Sequence, residues 1–153
     1  MASTVDADVR ALVDRQAIID VTIAYCWALD TKQWDALDEV FAPDATAMLA
    51  TPAPLAGVGA IKERVRRALE PLDASQHIVA NHQIAMNGDD ATCRCYLQAQ
   101  HVRHAAAEAG AGANFIVAGR YEDRLLRTPA GWRITHRELV PMWREGNPAV
   151  IIR

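Results

Sequence analysis

The spacing of hydrophobic residues changes once along this 153-residue chain, near Ser75. Before Ser75, apolar residues recur every three to four positions, as in helices that bury one face. After Ser75, apolar and polar residues alternate, as in strands, and clusters of turn residues separate the alternating segments. A helical half followed by a strand half predicts an α+β fold, with helices packed on one face of an antiparallel sheet.

Three helices are predicted in the first half, at residues 6–30, 34–41 and 59–69. Between the last two lie an apolar, strand-compatible segment at 45–49 and a Pro-rich turn at 51–57. The first helix is the longest, and its apolar positions form a broad stripe. The stripe consists of Val9, Leu12, Val13, Ala17, Ile19, Ile23, Cys26 and Trp27.

Four antiparallel strands are predicted in the second half, at residues 77–86, 91–103, 114–126 and 132–140. The sequence Asn-Gly-Asp-Asp at 87–90 predicts a tight hairpin between the first two strands. The small, Gly-rich segment 105–113 forms the next connection, and a tail that covers another part of the molecule begins at Pro141. No repeat or linker interrupts this order, so residues 1–153 are predicted to form one domain. A curved sheet with helices on one face encloses a concave pocket, which is a usual ligand site.

The charge balance excludes several classes of protein. The chain has 16 Lys and Arg against 19 Asp and Glu, a net charge of −3, and no basic block, so a nucleic-acid partner is not expected. No apolar run approaches the roughly 18 residues that a membrane helix needs. The first ten residues, MASTVDADVR, lack the basic and apolar segments of a signal peptide. We therefore expect a cytoplasmic protein with no membrane partner.

No motif in the chain predicts a metal or a cofactor. The three cysteines, Cys26, Cys93 and Cys95, have neither disulfide nor zinc spacing, and they are predicted to be small buried side chains. The five histidines form no metal-binding pair on a helix, and neither a phosphate-binding Gly loop nor a G-x-S-x-G elbow is present. Any chemistry is therefore expected to use side-chain acids and bases alone.

Three strings, in this order, resemble the SnoaL-like family within the cone-shaped fold of nuclear transport factor 2. They are DRQAIIDVTIAYCWALDTKQWDALDEVFAPDAT, QHIVANHQIAMNGDDA and GRYEDRLLRTPAGWRITHREL. The resemblance covers almost the whole chain and implies a cone-shaped α+β barrel with helices on a curved, mainly antiparallel sheet. It is closest to the group of scytalone dehydratase, bile-acid dehydratase and hexachlorocyclohexane dehydrochlorinase. One fold hosts many chemistries, so the fold alone does not specify the reaction.

The resemblance implies a catalytic Asp–His dyad made of Asp30, at the end of the first helix, and His77, at the start of the first long strand. It also places Tyr25, His101 and Arg137 at positions where the dehydratases or related enzymes carry functional groups. A histidine held by a carboxylate is a suitable general base near neutral pH. A carboxylate at a helix C-terminus opposes the helix dipole, which favours a functional role for Asp30.

A structural reading of each of these residues stays open. Asp30 could bond backbone amides in a loop, and His77 could be a hydrogen-bonded residue at a strand start. Tyr25 could be a core aromatic, and His101 could equally be structural. Arg137 could pair with one of three nearby carboxylates, those of Glu122, Asp123 and Glu138.

The expected pocket wall includes Trp27, Trp34, Ala47, Phe115 and Trp143. The dehydrochlorinase has a tryptophan where this chain has Ala47, which argues against the same substrate. Trp143, in the predicted tail, either closes the pocket or contacts a neighbouring subunit.

The resemblance implies a cofactor-independent lyase or isomerase, with dehydratase-type elimination on a small apolar cyclic or polyketide-like molecule. The alternative is a non-catalytic module that binds a hydrophobic ligand, or an assembly subunit of the same fold. Because an open sheet with an apolar rim favours association, a homodimer or homotrimer is expected.

Overall fold

The computed structural model describes residues 4–151. Helix α1 spans Thr4–Asp30 and helix α2 spans Val58–Leu69. Short 3-10 helices occupy Trp34–Glu39, His104–Ala109 and Pro148–Val150. The strands are β1 (Phe41–Met48), β2 (Leu55–Ala56), β3 (Ala74–Asn87), β4 (Asp90–Val102), β5 (Asn114–Thr128) and β6 (Gly131–Gly146).

The strands form one six-stranded sheet in the order β2-β1-β6-β5-β4-β3. All neighbours pair antiparallel except β1 and β6, which pair parallel. Helix α1 packs against β3 and β6, and α2 packs against β1, so the helices cover one face of the sheet. This architecture confirms the predicted α+β fold with helices on a mainly antiparallel sheet.

The hairpin between β3 and β4 is confirmed. Asn87 pairs with Asp90, which leaves a two-residue turn in which Gly88 has a φ of 62°. A positive φ is accessible to Gly at little cost, and it gives the turn the twist of the flanking strands. A β-bulge between Ala80 and Gln83 then shifts the register by one residue, so that alternate residues on its far side, His77 among them, face the helices.

One predicted helix in the first half was wrong in its type and in its end. The helix expected at 34–41 is a 3-10 helix that ends at Glu39, and Phe41 is the first residue of β1. β1 overlaps the segment 45–49 that was predicted to be strand-compatible, and β2 lies within the predicted turn at 51–57, so the sheet has six strands where a four-stranded one was predicted. The missed pairing is long-range, because the amide of Ile134 in β6 donates to the carbonyl of Val40. Local periodicity carries no information about such a partner.

The predicted tail from Pro141 was also wrong in its first part, because β6 continues to Gly146. A β-bulge lies between Ala118 and Gly119 of β5, and Gly119 stands opposite Pro141. Proline is tolerated at bulges because its missing N–H removes no regular ladder bond there. A Cβ at Gly119 would lie 2.4 Å from the carbonyl oxygen of Val140, so this close approach requires glycine.

The buried face of α1 differs from the predicted stripe. The side chains that pack inward include Ile18, Thr22, Tyr25 and Leu29, which are spaced by four, three and four residues. Much of the predicted stripe lies outside, with Val9, Leu12, Val13, Ile23 and Trp27 exposed. Apolar residues occur on both faces of this helix, so periodicity alone did not identify the packed one.

The cysteine prediction is confirmed, because Cys26, Cys93 and Cys95 are free and buried. Burial raises the pKa of the Cys26 and Cys93 thiols to about 12 and that of Cys95 to about 11. These thiols are therefore protonated near neutral pH and act as small apolar side chains. Within residues 4–151, no helix is both long and apolar enough to cross a membrane.

Candidate active site

The end of α1 holds Asp30 in a fixed position. The amide of Gln33 donates to the carbonyl of Ala28, and the amide of Lys32 donates to that of Leu29. This pair of bonds is a Schellman motif, and it requires a left-handed residue, here Lys32 with a φ of 55°. The Lys32 ammonium also donates to the carbonyls of Glu70 and Leu72, which ties the helix end to the loop after α2.

Asp30 and His77 form the closest polar contact of the site. The Nδ1 atom of His77 lies 2.6 Å from Oδ1 of Asp30, and the backbone amide of His77 donates to Oδ2 at 2.8 Å. The hydroxyl of Ser75 donates to Oδ1 at 2.8 Å. Because β3 is an edge strand of the sheet, the His77 amide is available to the carboxylate. Three hydrogen bonds offset the unfavourable helix dipole at Asp30.

These bonds define the tautomer of His77. Burial alone would raise the pKa of Asp30, but the side-chain and backbone hydrogen bonds from His77, with that from Ser75, lower it below its usual value. An ionised carboxylate only accepts hydrogen bonds, so Nδ1 of His77 carries a proton. In the neutral ring, Nε2 therefore has a free lone pair, and no other residue in the described part of the chain bonds it.

His101 lies beside His77 and is held neutral. The two rings meet edge to face, with centroids 5.5 Å apart, and Nδ1 of His101 donates to the carbonyl of Phe115 at 3.2 Å. Burial, followed by the neighbouring His77, lowers the pKa of His101 to about 4. At neutral pH its Nε2 is therefore a hydrogen-bond acceptor and carries no charge.

Arg137 lies behind the site in a fully buried cluster. Its Nε and Nη2 atoms donate to the two carboxylate oxygens of Asp123 at 2.8 and 2.7 Å. The guanidinium stacks between the rings of Tyr25 and Tyr121, 4.2 and 4.1 Å from their centroids. Arg137 is not among the residues that line the cavity described next, so the structure favours the open alternative of an ion pair, with Asp123 as partner.

A cavity of about 130 Å³ lies between the helices and the concave face of the sheet. His77, His101, Tyr25, Tyr121 and Phe115 contribute to its lining. Burial raises the pKa of both tyrosines, and the nearby Arg137 charge opposes this without reversing it. Both phenols therefore stay protonated and are able to donate hydrogen bonds. The cavity thus combines a free imidazole nitrogen with neutral donors.

Of the five predicted wall residues, only Phe115 lines this cavity. Trp27 is 66% exposed and borders a separate outer groove beside Asp30. Trp34 donates its indole N–H to Glu70 at the surface, and Ala47 is buried in β1. Trp143 is 48% exposed on β6, where it pairs with Ala118. Trp27 and Trp34 are close to Asp30 in sequence, but their side chains lie outside the cavity, as does that of Trp143.

Sequence reasoning missed four residues at the site. Ser75 could have been predicted to lie beside Asp30, because it is two residues before His77 and therefore on the same face of the strand. Tyr121 was identifiable from the alternation of β5, because Phe115 and Val117 line the same cavity. Arg64 and Arg144, which also line it, gave no signal, since they resemble ordinary surface charges. Among residues 4–151, no three His, Cys, Asp or Glu side chains lie close enough to bind a metal.

The fold and the site together define a cone-shaped α+β protein of the nuclear transport factor 2 type, with an Asp–His pair beside a cavity. A family model for the SnoaL-like domain matches residues 10–138. The chain therefore belongs to the SnoaL-like domain family.

Relatives with similar sequences include two bacterial proteins. The uncharacterized protein Rv2910c of Mycobacterium tuberculosis is 29% identical over 136 residues, which are 84% of this chain and 86% of the relative. A solved structure from Novosphingobium aromaticivorans, provisionally named an aromatic ring hydroxylase, is 30% identical with a TM-score of 0.79. The match covers 91% of this chain and 96% of that one.

More distant structures share the fold alone. A protein from Novosphingobium aromaticivorans, provisionally named scytalone dehydratase, is 22% identical with a TM-score of 0.78, over 90% of this chain and 89% of that one. A hexachlorocyclohexane dehydrochlorinase, LinA type 2, is 15% identical with a TM-score of 0.79, over 95% and 97% of the two chains. The neighbours therefore include proteins named for dehydration and dehydrochlorination.

Proposed function

We propose that this protein is a cofactor-independent lyase or isomerase that uses His77 as its general base. One observation carries the proposal: the 2.6 Å contact between Asp30 and Nδ1 of His77, with the opposite ring nitrogen free beside a cavity. A base that is oriented and charge-stabilised by a partly buried carboxylate is the arrangement that proton abstraction requires.

The reaction we propose is elimination next to a carbonyl or another electron-withdrawing group. Nε2 of His77 takes a proton from carbon, and the C–H electron pair forms the new C=C bond as the leaving group departs. The imidazolium that results is stabilised by Asp30. When the leaving group is hydroxide, the proton on Nε2 is returned to it, and water is released. Return of the proton to a different carbon gives an isomerase from the same machinery.

The developing negative charge needs hydrogen-bond donors. Tyr25 and Tyr121 line the cavity as neutral phenols, and both are able to donate to an oxygen that becomes an enolate. Arg137 acts through them, because its stacked guanidinium fixes both rings and its charge lies close behind them. His101 accepts a hydrogen bond at Nε2 and orients a substrate hydroxyl.

The test uses a panel of monocyclic and open-chain β-hydroxy ketones as probes. Formation of the α,β-unsaturated ketone is followed by its absorbance, with the untreated and the chelator-treated protein. We expect the two preparations to be equally active. We expect His77→Gln and Asp30→Asn to lower kcat by about 100- to 10,000-fold. The matched control is His104→Gln, which changes an exposed histidine in the 3-10 helix after β4.

Turnover that persists in His77→Gln would refute the role of the dyad. Circular dichroism and melting temperature of each variant separate loss of chemistry from loss of folding. If wild-type protein binds the ketones and exchanges no proton with deuterated water, the protein is a ligand-binding module of the same fold.

A further inference from the structure

The charged residues that line the cavity are all cationic. Arg64 of α2 and Arg144 of β6 contribute to the lining, and no Asp or Glu in the described part of the chain does so. Asp30 contacts His77 from outside this lining. The whole chain has a net charge of −3, so the cavity differs in sign from the rest of the molecule. A cationic cavity in an acidic protein indicates an anionic ligand.

Arg144 has a side chain that is available for a ligand. It lies near the end of β6, where it pairs in register with Val117 of β5, another residue of the cavity wall. Within residues 4–151, no hydrogen bond or ion pair involves its guanidinium. An exposed arginine beside an apolar cavity presents its N–H donors to whatever enters.

Arg64 approaches the same cavity from the helical side. It lies on α2 next to Val65, and its Nη2 atom is 3.5 Å from the carbonyl oxygen of Leu49. Leu49, Val65 and the two arginines all line the cavity. The helical layer and the sheet thus each supply one guanidinium. A guanidinium binds a carboxylate through charge-assisted N–H donors, so each wall carries a group of the type that recognises an anion.

The size of the cavity limits the rest of the ligand. Its volume of about 130 Å³ is close to the roughly 150 Å³ of an engineered apolar cavity that binds benzene. The wall between the arginines and His77 is apolar and includes Leu69, Leu97 and Phe115. The inner part of the cavity thus matches one six-membered ring in size, and the cavity opens to solvent beyond it.

We propose that the ligand of this cavity is a monocyclic organic carboxylate, with its ring against the apolar wall and its carboxylate between Arg64 and Arg144. This inference deepens the proposed function, since it places the ring of a substrate beside His77. It concerns binding, which is measured without turnover.

The experiment compares each carboxylate with its neutral amide. The probes are benzoate with benzamide, and cyclohexanecarboxylate with its carboxamide, titrated into the full chain and followed by two-dimensional NMR. We expect the carboxylates to bind more tightly than the amides. Arg64→Gln and Arg144→Gln each reduce this preference by about three- to tenfold, and the double variant abolishes it. The matched control is Arg67→Gln, which removes the same charge from the exposed face of α2.

Three results would overturn the proposal: equal affinity for acid and amide, no binding of any probe at millimolar concentration, or an equal loss in Arg67→Gln. A fourth variant, His77→Gln, separates this proposal from the proposed function. We expect it to lose turnover and keep the carboxylate preference. Loss of that preference in His77→Gln would assign anion recognition to His77 and contradict the role of the arginines.

Discussion

The burial of His101 predicts a loss of stability in mild acid that one substitution removes. Burial and the adjacent His77 lower its pKa from 6.5 to about 4 in the folded protein. Between these two values the unfolded chain binds a proton at this residue and the folded chain does not. The free energy of unfolding therefore falls as the pH drops from about 6.5 to about 4.

The magnitude follows from the pKa difference. One pKa unit corresponds to about 1.4 kcal/mol, so the full effect is about 3 kcal/mol below pH 4. At pH 5 the free energy of unfolding is about 2 kcal/mol lower than at neutral pH. This loss lowers the melting temperature of a domain of this size by about 4–8 °C. Burial also lowers the pKa of His82, so His82 adds to the loss of stability in acid. Its contribution is the same in wild type and in a variant of His101, and it cancels when the two are compared.

The variant is His101→Gln, which removes the titratable ring and keeps a neutral polar side chain. Urea denaturation of wild type and variant at pH 7.5 and pH 5 gives the pH-dependent difference in free energy. We expect wild type to lose about 2 kcal/mol more than His101→Gln over this interval. The matched control, His104→Gln, changes an exposed histidine and should follow wild type. Parallel losses in wild type and His101→Gln would refute the reasoning.

Three further predictions concern stability and assembly. Asp123→Leu or Arg137→Met alone should cost about 3–5 kcal/mol in urea denaturation, because each leaves a buried charge unpaired, whereas the double variant should regain most of this loss. Ala50→Gly should stabilise the protein by about 1 kcal/mol, because Ala50 has a left-handed φ of 53°; a loss of stability would contradict this. The expected homodimer or homotrimer stays a prediction that light scattering tests, and Trp143→Lys should weaken it, since Trp143 is an exposed aromatic on β6.

Much of the fold was predictable because it depends on local patterns. The turn at 87–90 predicts the pairing of β3 with β4, whereas the bulge between Ala80 and Gln83, which gave no local signal, brings His77 to the same face as His101. The end of α1 was predictable within one residue, and it places Asp30 at the last helical position. The pairing of Asp30 with His77 came from the family resemblance, since 47 residues separate them in sequence.

Other features depend on partners that are distant in sequence. The parallel pairing of β1 with β6 joins Phe41 to Ile134, and no local signal near either residue indicates it. A proline usually ends a strand, so the sequence predicts that β6 ends near Pro141. The strand continues because Pro141 lies at the bulge opposite Gly119, which only the structure shows. The apolar residues on both sides of α1 left two possible packing faces, and contact with the sheet selected the one that contains Ile18 and Tyr25.

The sequence by itself determined the order and type of most elements, the turn between β3 and β4 and the residue types able to act as acid and base. These follow from backbone preferences and from the periodicity of side chains, which act over a few residues. Only the tertiary structure decided that Arg137 lies in an ion pair with Asp123 behind the tyrosines, while Arg64 and Arg144 line the cavity. The reason is physical: the residues next to an arginine in sequence do not reveal whether its charge pairs with a distant carboxylate or faces a cavity.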